Sequence, residues 1–410
     1  MVTIRRAITE EDLHAVYRLR YELYVDDQKL FLEEADHERR WLYDDYDPHS
    51  RIFLAEVDGE LVGTSRITLG IEAEFSQESR EAYDFERFGG IVDERDLTVV
   101  TRLVVRHEHR GGSLGTRLLE ACYAEVAREN GELILGNCEP HLISHYLKLG
   151  FRPFGQLVNH PTNATLVRIA VVTGDYDYLE RVDSPMLPAL QLRTRPSEAL
   201  PGILGALARD PAILTEKQTD PDHYWGEVYR HVGSQSSGFR GALAALETQE
   251  AEALFSRSQI LTYQNGDALF FVGHTSKTIY VLLDGSLEIR NQRGHIIRQS
   301  EPGSLVGVSA FFGDGIRRSE AIVRSADARV LALNLRVLQG ILAGHLAVAA
   351  KFLHAVTRTL CQQMDGPGSK TLSTTPAIRP RSNGSSSHPR FGAQRPQLGR
   401  ERREPSRVAA

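Results

Sequence analysis

The spacing of apolar and polar positions changes character along the chain, and each change marks a different kind of structure. Residues 1 to about 173 read as strands alternating with helices. Val2–Ala7 fits a strand. Thr9-Glu-Glu-Asp predicts a helix running through Leu23, with Thr9 as its N-cap and acidic residues in its first turn. Arg51–Val57 and Leu61–Leu69 are strands joined by a turn at Asp58-Gly59. Leu97–Val105, β-branched and apolar, predicts a buried strand. The following helix places Leu114, Leu118, Leu119, Cys122 and Val126 on one stripe, and Gly131 ends it. Leu133–Leu135 is another strand and Leu142–Leu149 a short helix stopped by Gly150. Phe151–Val172 supplies one or two last strands.

Residues 174–238 lose this order. Proline recurs at 185, 188, 196, 201, 211 and 221, and helix fragments such as Ile203–Arg209 break up between them. This reads as a connector packing against one domain. From 239 to about 364 the pattern changes again. A helix, Ala242–Ser256, leads into short β-like runs: Gln259–Tyr263, Ala268–Val272, Thr278–Leu283, Ser286–Arg290, His295–Arg298 and Arg329–Asn334. Glycine-bearing turns separate them, which predicts a barrel or jelly roll closed by a helix over Leu346–Gln362. After Gly366 the chain is rich in Ser, Pro, Gly and Arg, a composition that predicts disorder. The fold class expected is α+β: a mixed α/β sheet domain (1–173), a connector (174–238), a β jelly roll (239–364) and a disordered basic tail (365–410).

Composition narrows the function classes. Of 410 residues, 41% are hydrophobic and 25% charged, ordinary for a globular chain. No apolar run is long enough for a membrane span. The opening residues, acidic early and without an apolar core, predict neither a secretory nor a transit peptide. Cys122, Cys138 and Cys361 lie far apart, which fits a reducing cytoplasm and no disulfide framework. From Gly366 onward nine Lys/Arg face two Glu, so the body is more acidic than the net charge of −6 suggests. Such a body is not expected to bind nucleic acid specifically.

The stretch Leu103-Val-Val-Arg-His-Glu-His-Arg-Gly-Gly-Ser-Leu-Gly-Thr carries the clearest chemistry. A strand runs into an Arg/Gly-rich turn and a helix starts at once. Free N–H groups and the helix dipole favour an anion there. Gly111, Gly112 and Gly115 let a pyrophosphate approach the backbone, and Arg110 adds a charged fork. The stretch resembles motif A of the GNAT superfamily, Arg/Gln-x-x-Gly-x-Gly/Ala, with Ser113 in place of the middle glycine. Ser144-His-Tyr-Leu-Lys-Leu-Gly-Phe resembles that superfamily's second signature, a Tyr four residues before Gly-Phe. The resemblance implies an acyl thioester donor, acyl-CoA or acyl carrier protein. Its pantetheine would lie along Leu103, Val104 and Val105, and its phosphates on Arg110, Gly111, Gly112, Ser113, Leu114, Gly115 and Thr116. It implies Tyr146 as the acid that protonates the leaving thiolate, since a phenol of pKa about 10 can do so. A base must take the amine proton through water; Asp96, His107, His109 and Glu139 are candidates, and Glu139 is carried forward.

A narrower resemblance concerns the acceptor. Tyr17-Arg-Leu-Arg-Tyr-Glu-Leu-Tyr-Val, Asp44-Asp-Tyr-Asp, Gly63-Thr-Ser-Arg and Thr101-Arg-Leu-Val-Val occur in the order found in autoinducer (acyl-homoserine-lactone) synthases and long-chain N-acyl amino acid synthases. It implies Arg20, Asp45, Asp47, Arg66 and Arg102 as acceptor-binding residues. Carboxylates can hold an α-amino group, and arginines can hold a carboxylate bidentately. Val99 stands where the lactone synthases tend to carry Glu, which argues against homoserine-lactone synthesis. Cys138-x-x-His141-x-x-x-His145 has a metal-like spacing but lacks a fourth ligand, and no metal is assigned.

The second half resembles the cyclic-nucleotide-binding domain family through Asn265-Gly-Asp-Ala-Leu-Phe-Phe-Val-Gly-His, Ile279-Tyr-Val-Leu-Leu-Asp-Gly-Ser, Pro302-Gly-Ser-Leu-Val-Gly-Val and Arg318-Ser-Glu-Ala. The resemblance implies Gly307, Arg318 and Ser319 as contacts to a cyclic nucleotide such as cyclic AMP. Val308 occupies the place of that family's ribose-binding Glu, and losing one charged hydrogen bond costs about 1.5–3 kcal/mol. No helix-turn-helix follows the barrel.

The leading reading is a cytoplasmic N-acyltransferase acting on a small-molecule amine or a protein lysine, with a regulatory C-terminal barrel. A barrel retained for packing or for a homodimer is the competing role. The alternatives are a non-catalytic acyl-CoA/nucleotide sensor and a cyclic-nucleotide-controlled protein-lysine acetyltransferase.

Overall fold

An eight-stranded sheet organises the first half of the chain. The structure, a computed structural model, describes residues 1–27, 34–160, 164–209, 213–214, 224–226, 247–255, 258–274 and 277–365. The elements are β1 (Val2–Arg6), α1 (Glu10–Arg20), β2 (Ala35–Asp36), β3 (Trp41–Leu42), β4 (Arg51–Val57), β5 (Glu60–Leu69), α2 (Gln77–Ala82) and β6 (Leu97–Val105). They continue with α3 (Leu114–Arg128), β7 (Leu133–Cys138), α4 (Ile143–Lys148), β8 (Arg152–Pro153), β9 (Val158–His160) and β10 (Ala164–Val172). The strand order is β1-β4-β5-β6-β7-β10-β8, with β9 added to β10. Neighbours run antiparallel except β6 and β7, which are parallel.

Local chemistry explains these elements. Thr9 caps α1 by a reciprocal capping box with Asp12. Asp58 and Gly59 both hold positive φ, +52° and +86°. That geometry suits a two-residue hairpin loop between β4 and β5. The stripe on α3 is fully buried, and it forms one core with Phe53, Val62 and Ile67 of the sheet. Two expectations change. The first helix is α-helical only to Arg20; Tyr21–Asp27 continues as a π-helix, a wider turn common at functional sites. The region after Phe151 holds three strands, because Pro153 has no ladder donor and Gly155, at φ +58°, turns the chain.

The connector carries α5 (Tyr176–Arg181), α6 (Leu187–Leu190) and α7 (Leu200–Leu207). Leu179, Met186 and Leu190 join the core beside α3. Ile203, Ala206 and Leu207 pack with Phe85, Phe88, Leu97 and Leu133 in a second cluster. Arg193 fixes the chain between them by donating Nη1 to the carbonyl of Gly131 at 2.6 Å.

The second half is a sandwich of two antiparallel sheets. Its elements are β11 (Ile213–Leu214), α8 (Thr248–Phe255), β12 (Gln259–Gln264), β13 (Ala268–Phe270), β14 (Thr278–Asp284), β15 (Leu287–Asn291), β16 (Ile296–Ser300) and β17 (Leu305–Val306). Then come α9 (Val308–Phe312), β18 (Ser319–Val323), β19 (Asp327–Asn334), α10 (Leu335–Gly344) and α11 (Leu346–Asp365). One sheet runs β11-β12-β19-β14-β17 and the other β13-β18-β15-β16. α8, α10 and α11 cover the outside of the first sheet around Phe255, Val281, Leu331 and Phe352. Side chains between the two sheets, among them Tyr263, Phe270 and Tyr280, belong to the same cluster as the N-terminal core. Thr165 of β10 donates its hydroxyl to the carbonyl of Ala268 on β13 at 3.1 Å. Both halves thus lie in one unit, Met1–Ser369. The tail expected to be disordered, and the first turns of the helix expected from Ala242, lie outside the described residues.

Candidate active site

The parallel pair at the centre of the first sheet comes apart. β6 and β7 pair only through Leu97↔Leu133, Thr98↔Ile134 and Val99↔Leu135. On its other edge β6 stays paired with β5 out to Val105↔Gly63. Backbone groups of the later β6 residues, including Leu103, Val104 and Val105, are therefore not laddered to β7. An extended amide-bearing chain can use that open edge. The β5–β6 register also slips between Thr64↔Val104 and Arg66↔Thr101. That bulge puts Arg102 in the left-handed region, φ +54°. A long side chain adopts such a backbone at a cost of about 1–3 kcal/mol and only where its surroundings demand it.

Arg102 is thereby aimed into a buried cluster of arginines and carboxylates. Arg20, at the end of α1, and Asp47 are both fully enclosed, and Arg20 Nη1 donates to Asp47 Oδ1 at 2.7 Å. Arg66 Nη1 donates to the same oxygen at 3.0 Å, and also to Asp44. Arg102 Nη2 donates to the second oxygen of Asp44 at 2.7 Å and to Glu34 at 2.7 Å. Arg66 Nε is fixed by Thr101 Oγ1 at 3.0 Å. Burial would raise the Asp44 carboxyl, but Arg66 and Arg102 more than offset this and hold it well below the usual range. Arg20 keeps two buried donors, Nε and Nη2, without a partner among the described residues. A carboxylate ligand is the natural complement to such donors.

Four of the five expected acceptor residues meet here. Asp45 does not: it is exposed, and Asp44 takes the place beside the arginines. Adjacent aspartates cannot be told apart by sequence pattern. The turn decides, because Asp44 N–H donates to Asp47 Oδ2 at 3.0 Å and so folds the pair together. A second residue escaped the sequence reading. Tyr24, four residues after Arg20, lies against the Arg102 guanidinium, 5.9 Å from ring centroid to carbon. Burial raises its phenol, while Arg102, Arg20 and Arg66 pull the other way. The i, i+4 spacing to Arg20 was the available signal.

At the far end of β6 the chain forms the expected turn. Arg110 Nε donates to Val105 O at 2.8 Å, which ties the turn to the strand end. Gly111 holds φ +82°, a conformation a side chain would strain. Ser113 makes no side-chain cap, and no acidic residue stands in the first turn of α3. The first N–H groups of Leu114, Gly115 and Thr116 are left for an anion. A Cβ at Gly115 would meet nothing of the protein within 4 Å, so the open space there is available to a ligand.

Tyr146 on α4 is the acid candidate. Its ring packs edge-on against Phe151 at 5.2 Å. Burial pushes its phenol up, and Cys138, Tyr24 and Glu139 add to this. It therefore stays protonated at neutral pH. Glu139 follows β7 directly, N-terminal to the turn Pro140–Leu142. His107 and His109 sit in the short turn before Arg110. Asp96 lies at the opposite end of β6, where its carbonyl accepts from Glu132 N–H. Among the described residues no three metal-ligating side chains gather.

The barrel distributes its arginines differently. Arg318 is exposed and donates to Asp314 at 3.1 and 2.9 Å. Ser319, half-buried, begins β18 beside it. Arg317 is the buried one. It donates Nη1 to Gly307 O at 2.9 Å and Nη2 to Thr278 O at 2.6 Å, with its guanidinium 4.2 Å over the Phe270 ring. Gly307 holds φ +86°, and a Cβ there would lie 2.4 Å from Arg317 Nη1.

A splayed parallel pair, a strand bulge, an amide cradle and a partly buried tyrosine lie in the first half, whose fold is GNAT-like, and the second half is a barrel of cyclic-nucleotide-binding type. Each half matches a family model. Residues 15–170 match the family described as N-acyl amino acid synthase FeeM, and residues 260–345 match the cyclic nucleotide-binding domain. No curated protein matches the chain. Similar solved structures include FeeM, an N-acyl amino acid synthase from uncultured soil microbes, at 14% identity over 46% of this chain and 97% of that one, with a TM-score of 0.36. The CoA-dependent acyl-homoserine lactone synthase BjaI, with SAM and isopentyl-CoA, shares 19% identity over 45% of this chain and 90% of its own, TM-score 0.37. A cyclic nucleotide-binding domain from Methylobacillus flagellatus shares 18% over 37% and 84%, TM-score 0.31.

Proposed function

We propose that the chain transfers an acyl group from a thioester donor, acyl-CoA or acyl carrier protein, to the amine of a small amino acid. The observation that carries this is the juxtaposition along β6: an anion cradle at its end, an open strand edge, and a buried arginine–carboxylate cluster at its bulge. Arg110 and the amides of Gly111–Thr116 hold the donor phosphate. Leu103, Val104 and Val105 take the pantetheine amides. Arg20, Arg66 and Arg102 orient the acceptor carboxylate, while Asp44 and Asp47 hold the arginines in place. The amine attacks the thioester carbonyl, the C–S bond breaks, and Tyr146 gives its proton to the departing sulfur. Glu139, through water, removes the amine proton.

Burial of Arg20 and Asp47 favours a small acceptor over a lysine on a protein surface, because a protein chain cannot enter an enclosed cluster. The free cysteines Cys122 and Cys138 and the thioester donor support a cytoplasmic reaction. The barrel acts as a control module. It is joined to the sheet domain through the Thr165–Ala268 hydrogen bond. A cyclic nucleotide such as cyclic AMP is the effector the barrel suggests, and its phosphate would meet Arg317 rather than Arg318.

A thiol-release assay with both donor types against the standard amino acids tests the reading. Amine-dependent thiol release is expected with at least one donor. No release with either donor, in protein that binds an acyl thioester, would leave the non-catalytic sensor.

A further inference from the structure

A cavity of about 1290 Å³ lies outside the acceptor cluster. Thr116, in the first turn of α3, lines it, so the cavity borders the proposed phosphate cradle. His145, Lys148 and Arg152 line one side, from α4 and β8. Tyr178 and Arg181 face them from α5. Apolar surface from Leu204, Leu207 and Ile213 completes the wall. More than half of the lining therefore comes from beyond residue 173, outside the segment that matches the synthase family.

The cations in this cavity are only partly committed to groups of the protein. Lys148 and Arg181 are exposed and carry no hydrogen bond or ion pair among the described residues. Arg152 is bound on one side by Asp175 and stacks 3.6 Å from the Tyr178 ring centroid. Its Nη1 is nonetheless buried without a partner. Tyr178 thus has one guanidinium on its ring and a second, Arg181, at 5.6 Å. One carboxylate, Asp183, also stands in the lining. Three cations against that carboxylate and the partner of Arg152 leave the cavity net positive, and its walls are apolar enough for a flat ring. A group with a phosphate and an aromatic base fits both features.

We infer that this cavity receives the 3′-phosphoadenosine end of a coenzyme A donor, and that the connector supplies the groups that select acyl-CoA. The inference rests on the acyl-thioester reading of the cradle. With the pyrophosphate on the α3 amides, the nucleotide end passes Thr116 into the cavity. Lys148 and Arg181 then meet the 3′-phosphate. A carrier protein presents phosphopantetheine on a serine, with no nucleotide, and would leave these cations unused.

Calorimetry of the full chain with CoA, 3′-dephospho-CoA and phosphopantetheine tests this without turnover. CoA is expected to bind about tenfold tighter than 3′-dephospho-CoA, the worth of one charge-assisted contact. In the exposed double variant Lys148→Ala/Arg181→Ala that preference should fall to within about twofold. Equal affinities in the parent protein, or a preference surviving the double variant, would overturn the inference. So would failure to bind CoA in a protein that transfers acyl groups from a carrier protein, a result that leaves the acyltransferase reading intact. Selective CoA binding in a protein that releases no thiol would support the cavity assignment while removing the catalytic one.

Discussion

Arg20 in the sheet domain and Arg317 in the barrel are both buried guanidiniums, yet they are used in opposite ways. Arg317 turns its two Nη groups onto carbonyls of its own barrel, Gly307 and Thr278. Arg20 has one bond, to Asp47, and keeps Nε and Nη2 unmatched among the described residues. A buried donor left without a partner costs about 1–3 kcal/mol. A fold tolerates that where a ligand completes the set. The same contrast runs through the neighbours. The first site has a strained Arg102, open strand amides and an uncapped helix start. The barrel has a closed cassette, with Arg318 drawn off to Asp314. Groups left open mark where chemistry happens; groups closed upon themselves mark where shape is kept.

The largest expected effect breaks the contrast at its catalytic end. Tyr146→Phe keeps the ring packed on Phe151 and removes only the proton donor. The value of kcat should fall about 10²–10⁴-fold, the usual contribution of a positioned acid, with the donor KM little changed. Thiol release measured over a range of donor concentrations separates the two parameters. An unchanged kcat would remove Tyr146 from the mechanism.

Asp47→Ala comes next. It leaves Arg20 and Arg66 buried without their shared carboxylate, and removing one partner of a buried pair costs about 3–5 kcal/mol. Urea unfolding measures this; a loss below about 1 kcal/mol would show the cluster to be solvated. The pH dependence follows from Asp44. Its native carboxyl is depressed, so its stabilisation is complete above the unfolded value near about 3.9 and disappears as pH falls through the lower native one. Stability should therefore decline below about pH 4, with no contribution from this group between about pH 5 and 8.

How much of this was readable beforehand depended on whether a residue's role is set by neighbours in sequence. The cradle, the hairpin at Asp58-Gly59 and the stripe of α3 are local patterns, and the structure has them where the pattern put them. The bulge at Arg102 and the widened turn at Tyr21–Asp27 come from tertiary pairing, which no period announces. The aspartate pair turned on one backbone hydrogen bond. The barrel arginines turned on one residue: both precede β18, and family position points to Arg318 while the fold buries Arg317.

That difference of one residue gives the smallest and sharpest test. Arg317→Ala should cost about 1–3 kcal/mol, because it strips the buried carbonyls of Gly307 and Thr278 of their donor. Arg318→Ala removes an exposed ion pair with Asp314 and should leave the melting temperature unchanged. Any response to cyclic AMP should sort the same way. A ligand-induced rise in melting temperature that is lost in Arg317→Ala but kept in Arg318→Ala places the phosphate inside the barrel against Arg317. The reverse result would mean that the segment before β18 rearranges on binding and brings Arg318 inward, and the barrel would then be the half of the molecule that holds its chemistry in reserve.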